Sequence, residues 1–159
     1  MDVRVGSGFD VHRLVQGREL WLGGVLVPAQ RGALGHSDAD VLLHAICDAL
    51  LGAAGLGDIG QHFPDTDAQW KGADSKKLLA RVVDLLKENG WRVGNIDSTL
   101  VLEQPKIALH IAAMRSAIAP LLSVPENAVS IKATTNEKLG YVGREEGVCA
   151  YAVALIART

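Results

Sequence analysis

The sequence is poor in sulfur, poor in aromatics and close to neutral, and each scarcity excludes a class of protein. Its 2 cysteines, Cys47 and Cys149, fall inside apolar stretches and have no CxxC partner, which excludes a disulfide scaffold and reads as reduced thiols filling a core. Aromatics make up 4% of a chain that is 48% hydrophobic, so the core must be built from closely packed Ala, Val, Leu and Ile. The net charge is −2, with acids and bases interspersed. It lacks the clustered basic stripe that counterion release on a nucleic acid needs, so no nucleic-acid partner is expected. The most apolar region, Val41 to Gly57, is interrupted by His44, Asp48 and several glycines, too short and too polar to span a bilayer, so no membrane partner is expected either. The opening Met1-Asp2-Val3-Arg4-Val5 enters a strand-like alternation without a basic leader or apolar h-region, which predicts a cytoplasmic protein. No Ser/His/Asp or Cys/His elbow is present, so no protein nucleophile is expected. With 159 residues and no linker, repeat or low-complexity tract, residues 1–159 read as a single domain.

Val3, Val5 and Phe9, broken by Gly6 and Gly8, predict a first strand ending near His12. Leu20 to Pro28 predicts a second around Gly23-Gly24, paired with the first. Ser37-Asp38-Ala39-Asp40 has the capping-box form and opens a helix running to Ala54. The stretch from Gly55 to Gly72 carries no period and is too long for a mere connection, which marks a candidate binding loop. Asp74 caps a second helix with Leu78, Leu79, Val82, Leu85 and Leu86 on one stripe, stopped at Asn89-Gly90. A strand over about 96–103 follows, then a helix after Pro105 with Ile107, Ile111, Met114, Ile118 and Leu121 as its apolar face. Strands over about 128–134 and 148–156 complete the order ββααβαββ. This predicts an α+β fold, a mixed or antiparallel sheet covered on one face by about three helices.

Asp10 and His12 lie two apart at the end of a strand, so both side chains emerge on one face. Alone the pair is a weak signal that reads more readily as a surface or turn role than as a metal-ligand pair. On the first helix Asp40, His44 and Asp48 recur every fourth residue, as a ligand-bearing stripe or a solvated polar face. One carboxylate and two imidazoles (Asp10, His12, His44) suit zinc and leave a fourth position open. His36 and Ser37 at the helix entrance offer free N–H groups and a positive dipole end, which favour a phosphate. Lys132 to Lys138, with Ala133, Thr134, Thr135, Asn136 and Glu137 between, suits a diphosphate with a hard cation such as Mg²⁺, or else is a polar turn. The loop Gly57-Asp58-Ile59-Gly60 through Phe63-Pro64-Asp65-Thr66-Asp67 offers carboxylates for polyol hydroxyls, or simply Asx turns. Gly140, Gly143 and Gly147 around Arg144 look like a phosphate cradle, but carry no Walker lysine.

Taken together, Gly6-Ser7-Gly8-Phe9-Asp10-Val11-His12, Gly35-His36-Ser37-Asp38-Ala39-Asp40-Val41 with His44, the 57–67 loop and Lys132 to Lys138 resemble the 2-C-methyl-D-erythritol 2,4-cyclodiphosphate synthase family over essentially the whole chain. The resemblance implies a homotrimer of α+β subunits in the non-mevalonate route to isoprenoids, with active sites shared between neighbouring chains. The reaction it implies is cyclisation of 4-diphosphocytidyl-2-C-methyl-D-erythritol 2-phosphate with loss of CMP. It implies zinc on Asp10, His12 and His44, a second cation (Mg²⁺ or Mn²⁺) aided by Glu137, and transition-state stabilisation by His36 and Thr135. Ser37 would lie beside His36 as a further substrate contact, and Asp58, Ile59, Gly60 and Phe63 to Asp67 would contact the sugar portions. The Leu102 to Ala108 segment, with Lys106, and Ala133 to Thr135, which includes Thr134, would form the cytosine pocket, and Asn136 would be a further substrate contact. Tyr141 and Arg144 would sit by a central channel, with Arg144 facing an isoprenoid diphosphate. Ala39, Leu102, Glu103, Asn136 and Tyr141 depart from the family's commonest residues, and none removes a ligand. The competing readings are a non-catalytic metal or nucleotide-binding module and a metal-dependent phosphohydrolase.

Overall fold

A computed structural model describes residues 2–159; Met1 of the domain predicted over 1–159 lies outside them. Fourteen residues, Val3–Gln16, form β1, whose neighbours are β4 (Arg31–Leu34) and β7 (Gly147–Arg158), both antiparallel to it. β5 (Trp91–Val101) pairs antiparallel with β7, and β6 (Val129–Thr134) pairs parallel with β5. The resulting five-stranded mixed sheet has the order β4-β1-β7-β5-β6. Three longer helices, α1 (Val41–Ala54), α3 (Ser75–Glu88) and α4 (Ile111–Leu122), join it, with the four-residue α2 (Ile59–His62) and α5 (Gly140–Gly143). The α+β mixed sheet with a helical layer is as predicted, and among the described residues no helix is long and apolar enough to cross a membrane.

The predicted second strand is instead a hairpin, β2 (Leu20–Leu22) against β3 (Val25–Val27), and it does not join β1. Gly23 and Gly24 both take positive φ, 60° and 77°, the conformation a two-residue type I′ turn demands. The first helix begins later than predicted. Its cap is Asp40, which accepts from the Leu43 N–H, whereas Ser37 lies three residues outside the helix. Asp40 is fully buried and also accepts from the N–H groups of Gly23 and Gly24 at 2.9 and 2.7 Å, so it locks the hairpin to the helix. Asp74 caps α3 as predicted. On α4 Met114 and Ile118 are buried as predicted and Leu122 joins them, with Ile111 and Leu121 partly buried against the same core.

Helix α1 is buried nearly all round, between the sheet and α3, as expected of a helix apolar on every side. Its approach to β1 is close because Gly6 and Gly8 have no side chains. A Cβ at Gly8 would lie 1.9 Å from the Ala45 carbonyl oxygen, and one at Gly6 2.0 Å from that of Ala49. By alternation Asp10 and His12 share the face of Gly6 and Gly8 and so point at the same helix. The opposite face of the sheet is apolar and open, with Val5 65% and Tyr151 53% exposed beside Val3, Phe9, Val11 and Val153.

Candidate functional site

The register that sets Gly8 against Ala45 brings the next two residues on that face to His44. Asp10 Oδ2 lies 2.9 Å from His12 Nε2 and 3.0 Å from His44 Nδ1, and the two ring nitrogens are 3.2 Å apart. Donors at 2.0–2.1 Å from a tetrahedral zinc would be separated by about 3.3 Å. The three atoms already form nearly one face of such a tetrahedron, and Asp10, His12 and His44 are the cluster able to hold a metal among the described residues. Burial works to raise the Asp10 carboxyl, but hydrogen bonds from His12 and His44 outweigh it and hold it down at about 2. Burial works to lower His12, and the bond to Asp10 outweighs that and raises it. Each imidazole is held from behind: His12 Nδ1 donates to the Leu34 carbonyl at 3.0 Å, and His44 Nε2 lies 2.9 Å from Ser75 Oγ and 3.2 Å from Ser37 Oγ. Such outer contacts orient a ligand ring and select its tautomer.

The triad opens on a cleft of about 480 Å³. His36 and Ser37 line one side, and Ile59, Gly60 and Phe63 to Thr66 roof it, so the aperiodic loop does cover the site. His36 Nε2 donates to the Asp67 carbonyl at 3.3 Å, tying the wall to the roof. Asp58 caps α2 by accepting from the Gln61 N–H, which is the Asx-turn role. The N-terminus of α1 is capped by Asp40 and residues 39 to 47 are buried, so His36 and Ser37 line the cleft from the segment ahead of the helix rather than from its free end. The stripe Asp40, His44, Asp48 is likewise no solvated face, since each member is tied into the fold.

The second group assembles elsewhere. Leu102, Lys106, Ala133, Thr134 and Thr135 line a separate cleft of about 260 Å³, and no residue borders both clefts. Leu102 itself is core, 4% exposed, so it offers this cleft little side-chain surface. Glu137 and Lys138 take left-handed backbone with φ of 52° and 61°. Glu103 fixes this turn by accepting from the N–H groups of Asn136 and Lys138 at 2.9 and 3.1 Å. The structure therefore does not bring Glu137 or Thr135 into the metal cluster of its own chain. Tyr141 lies in α5 and Arg144 directly after it, ahead of β7; α5 packs Val142 against Val101 and Cys149, and Arg144 pairs with Glu146 at 3.1 Å. Gly143 serves packing, as a Cβ there would lie 2.0 Å from the Lys138 backbone.

The family model described as the YgbB family matches residues 3–157. The chain belongs to the YgbB family. Its similarity to YgbB relatives is high: it is 62% identical to the 2-C-methyl-D-erythritol 2,4-cyclodiphosphate synthase of Synechococcus elongatus, over 98% of this chain and 97% of that one. The bifunctional IspDF from Campylobacter jejuni superposes with a TM-score of 0.95 at 42% identity, over 99% of this chain and 43% of that longer one. A structure of 2C-methyl-D-erythritol-2,4-cyclodiphosphate synthase in its CDP-bound form superposes with a TM-score of 0.89 at 40% identity, over 97% of this chain and all of that one.

Several residues of this YgbB chain's site escaped the reading of its sequence. Trp70 and Leu78 line the metal cleft, with Trp70 edge-on to Phe63 at a centroid separation of 4.9 Å; a lone tryptophan in a polar loop was the available signal. Asp48 accepts from the Ile59 N–H at 2.8 Å and so anchors the roof to α1. Arg18 donates to the carbonyls of Ala33, Gly35 and Ser37, which holds the segment carrying His36 and Ser37 in place. Ser75 and Asp38, behind His44, had no sequence signal beyond helix-cap chemistry.

Proposed function

We propose that this chain converts 4-diphosphocytidyl-2-C-methyl-D-erythritol 2-phosphate into 2-C-methyl-D-erythritol 2,4-cyclodiphosphate with release of CMP. The observation that carries this reading is the convergence of Asp10, His12 and His44 on one point of a roofed cleft, in a chain whose family includes proteins of that name. An oxygen of the 2-phosphate attacks the β-phosphorus of the cytidine diphosphate arm, the bond to the bridging oxygen breaks, and CMP leaves with its electron pair. Both reactants are tethered in one molecule, so the protein must fold and neutralise the substrate rather than attack it. The thiols suit that division of labour: Cys47 and Cys149 are buried, and burial pushes both upward in pKa.

Asp10, His12 and His44 would hold zinc, their one oxygen and two nitrogens leaving an open coordination position. Such a cation supplies Lewis-acid charge to the phosphoryl oxygens. Glu137 would help hold a second, harder cation, Mg²⁺ or Mn²⁺, shared with the diphosphate. His36 and Thr135 bring donors to charge that builds up in the transition state, with Ser37 beside His36. Asp58, Ile59, Gly60 and Phe63 to Asp67 hold the sugar portions, and the Leu102 to Ala108 segment, with Lys106, and Ala133 to Thr135 hold the cytosine, with Asn136 as a further substrate contact.

The two half-sites lie in separate clefts, and one sheet face is apolar and exposed. A homotrimer that buries this face and sets one chain's metal cleft against a neighbour's second cleft accounts for both features. Tyr141 and Arg144 would then border the central channel, where the Arg144 guanidinium suits an isoprenoid diphosphate. Light scattering should give about three times the 16.9 kDa chain mass; a monomer refutes the shared site.

The deciding experiment is ³¹P NMR of the protein with the substrate, Zn²⁺ and Mg²⁺, beside a His44→Ala control. Cyclic diphosphate and CMP, both lost in the control, support the proposal. A linear product moves the reading to a phosphohydrolase, and unchanged substrate moves it to a binding module.

A further inference from the structure

Ser75 is fully buried at the first position of α3, and Asp38 takes both of its donors. Asp38 Oδ2 accepts from the Ser75 N–H at 2.9 Å, and Oδ1 accepts the hydroxyl proton. A serine hydroxyl has only one proton to give. With that proton committed to the carboxylate, Ser75 Oγ can only accept from His44 Nε2, 2.9 Å away. For a neutral His44, Nε2 must then carry the ring's hydrogen, which leaves Nδ1, the nitrogen that otherwise donates to Asp10, with its lone pair for a cation. Capping does not explain the arrangement, because α3 already has its cap in Asp74, which accepts from the Lys76 N–H at 2.9 Å.

We propose that Asp38 and Ser75 are positioning residues that fix His44 in the Nε2–H tautomer and present Nδ1 to the cation. The inference rests on the reading of Asp10, His12 and His44 as a metal centre. His12 meets the same need through a backbone carbonyl, that of Leu34; His44 meets it through two side chains, which substitution can reach. Ser37 Oγ, farther from Nε2 at 3.2 Å, also accepts from the Ala39 N–H and is the weaker partner. Asp38 further donates its own N–H to the Ala73 carbonyl at 3.0 Å, and Gly72 donates to the His36 carbonyl at 2.7 Å. The carboxylate that orients a ligand thus sits on the seam that closes the end of the roofing loop.

The test is Co²⁺ binding by the full chain, read by visible absorption and by competition with a chelator, for wild type, Ser75→Ala, Asp38→Asn, the double variant and His44→Ala. Ser75→Ala should weaken Co²⁺ about ten- to hundredfold and lower the absorption typical of a tetrahedral ion. Asp38→Asn should also weaken it, because an amide N–H can donate to Ser75 Oγ and turn the hydroxyl proton toward His44. The double variant should bind no worse than Ser75→Ala, since Asp38 acts through Ser75. A purely structural role would lower the melting temperature of the metal-free protein and leave affinity and spectrum unchanged, which overturns the inference. Wild-type binding that is absent, or that survives His44→Ala, overturns the metal centre itself and the inference with it.

Discussion

Replacing Gly8 with alanine tests whether the β1–α1 contact sets the position of the metal ligands. The new Cβ would lie 1.9 Å from the Ala45 carbonyl oxygen and 2.8 Å from the Ala49 nitrogen. A carbon and a carbonyl oxygen come no closer than about 3.3 Å, even in favourable C–H···O contacts, so one backbone must retreat by roughly 1.4 Å. Neither contact atom is the end of a flexible side chain. The helix is wedged between sheet and α3, so the retreat disturbs a close-packed core and should cost about 3 kcal/mol. For a chain of this size that lowers Tm by about 6 to 12 °C. His44 precedes Ala45 on the same helix, so the displacement also draws Nδ1 away from Asp10 and His12. Misplacement on this scale costs on the order of a hundredfold in turnover. Differential scanning calorimetry of the metal-free protein and Zn²⁺ titration of the same samples separate the two effects. A Gly8→Ala variant that melts within about 2 °C of wild type, or that keeps wild-type zinc affinity despite its lower Tm, would refute the reasoning.

Three further outcomes follow from the same geometry. In the metal-free protein Asp10, held down at about 2, contributes stability above the ordinary carboxylate range and loses it as pH falls toward 2, whereas His12, raised, contributes fully below about 6.5 and loses it as pH climbs through its elevated value. A cation must displace the His12 proton, so the thermal stabilisation given by a fixed Zn²⁺ concentration should shrink from about pH 8 to about pH 6; a zinc-induced shift that grows over that range is inconsistent with the triad. Asp40→Ala strands the N–H groups of Gly23, Gly24 and Leu43 and should cost about 3 kcal/mol or more in urea unfolding. Asp48→Ala frees the Ile59 N–H and should raise KM about fivefold, the effect of one lost hydrogen bond, with faster amide exchange confined to residues 57–67.

What could be read in the sequence was what period and local chemistry encode. Alternation along β1 put Asp10 and His12 on one face, and the four-residue recurrence singled out His44, because both depend only on backbone geometry. Gly6 and Gly8 carried the missing link: two glycines alternating on the ligand face mark where a helix backbone must come close, and that helix bears His44. The misreadings arose where one residue type serves two chemistries. Ser37 and Asp40 are both good caps, and the choice between them was made by the buried Gly23-Gly24 turn, whose N–H groups needed the Asp40 carboxylate; that is a tertiary demand no local window contains. The same demand freed Ser37 for the cleft. Ser75 followed a capping aspartate and looked like ordinary first-turn chemistry, yet long-range packing of α3 against α1 set its hydroxyl behind a metal ligand. Asp10 and His12 were legible because their spacing is local, while the hydroxyl behind His44 comes from a residue 31 positions away in the chain, where only the fold brings the two together.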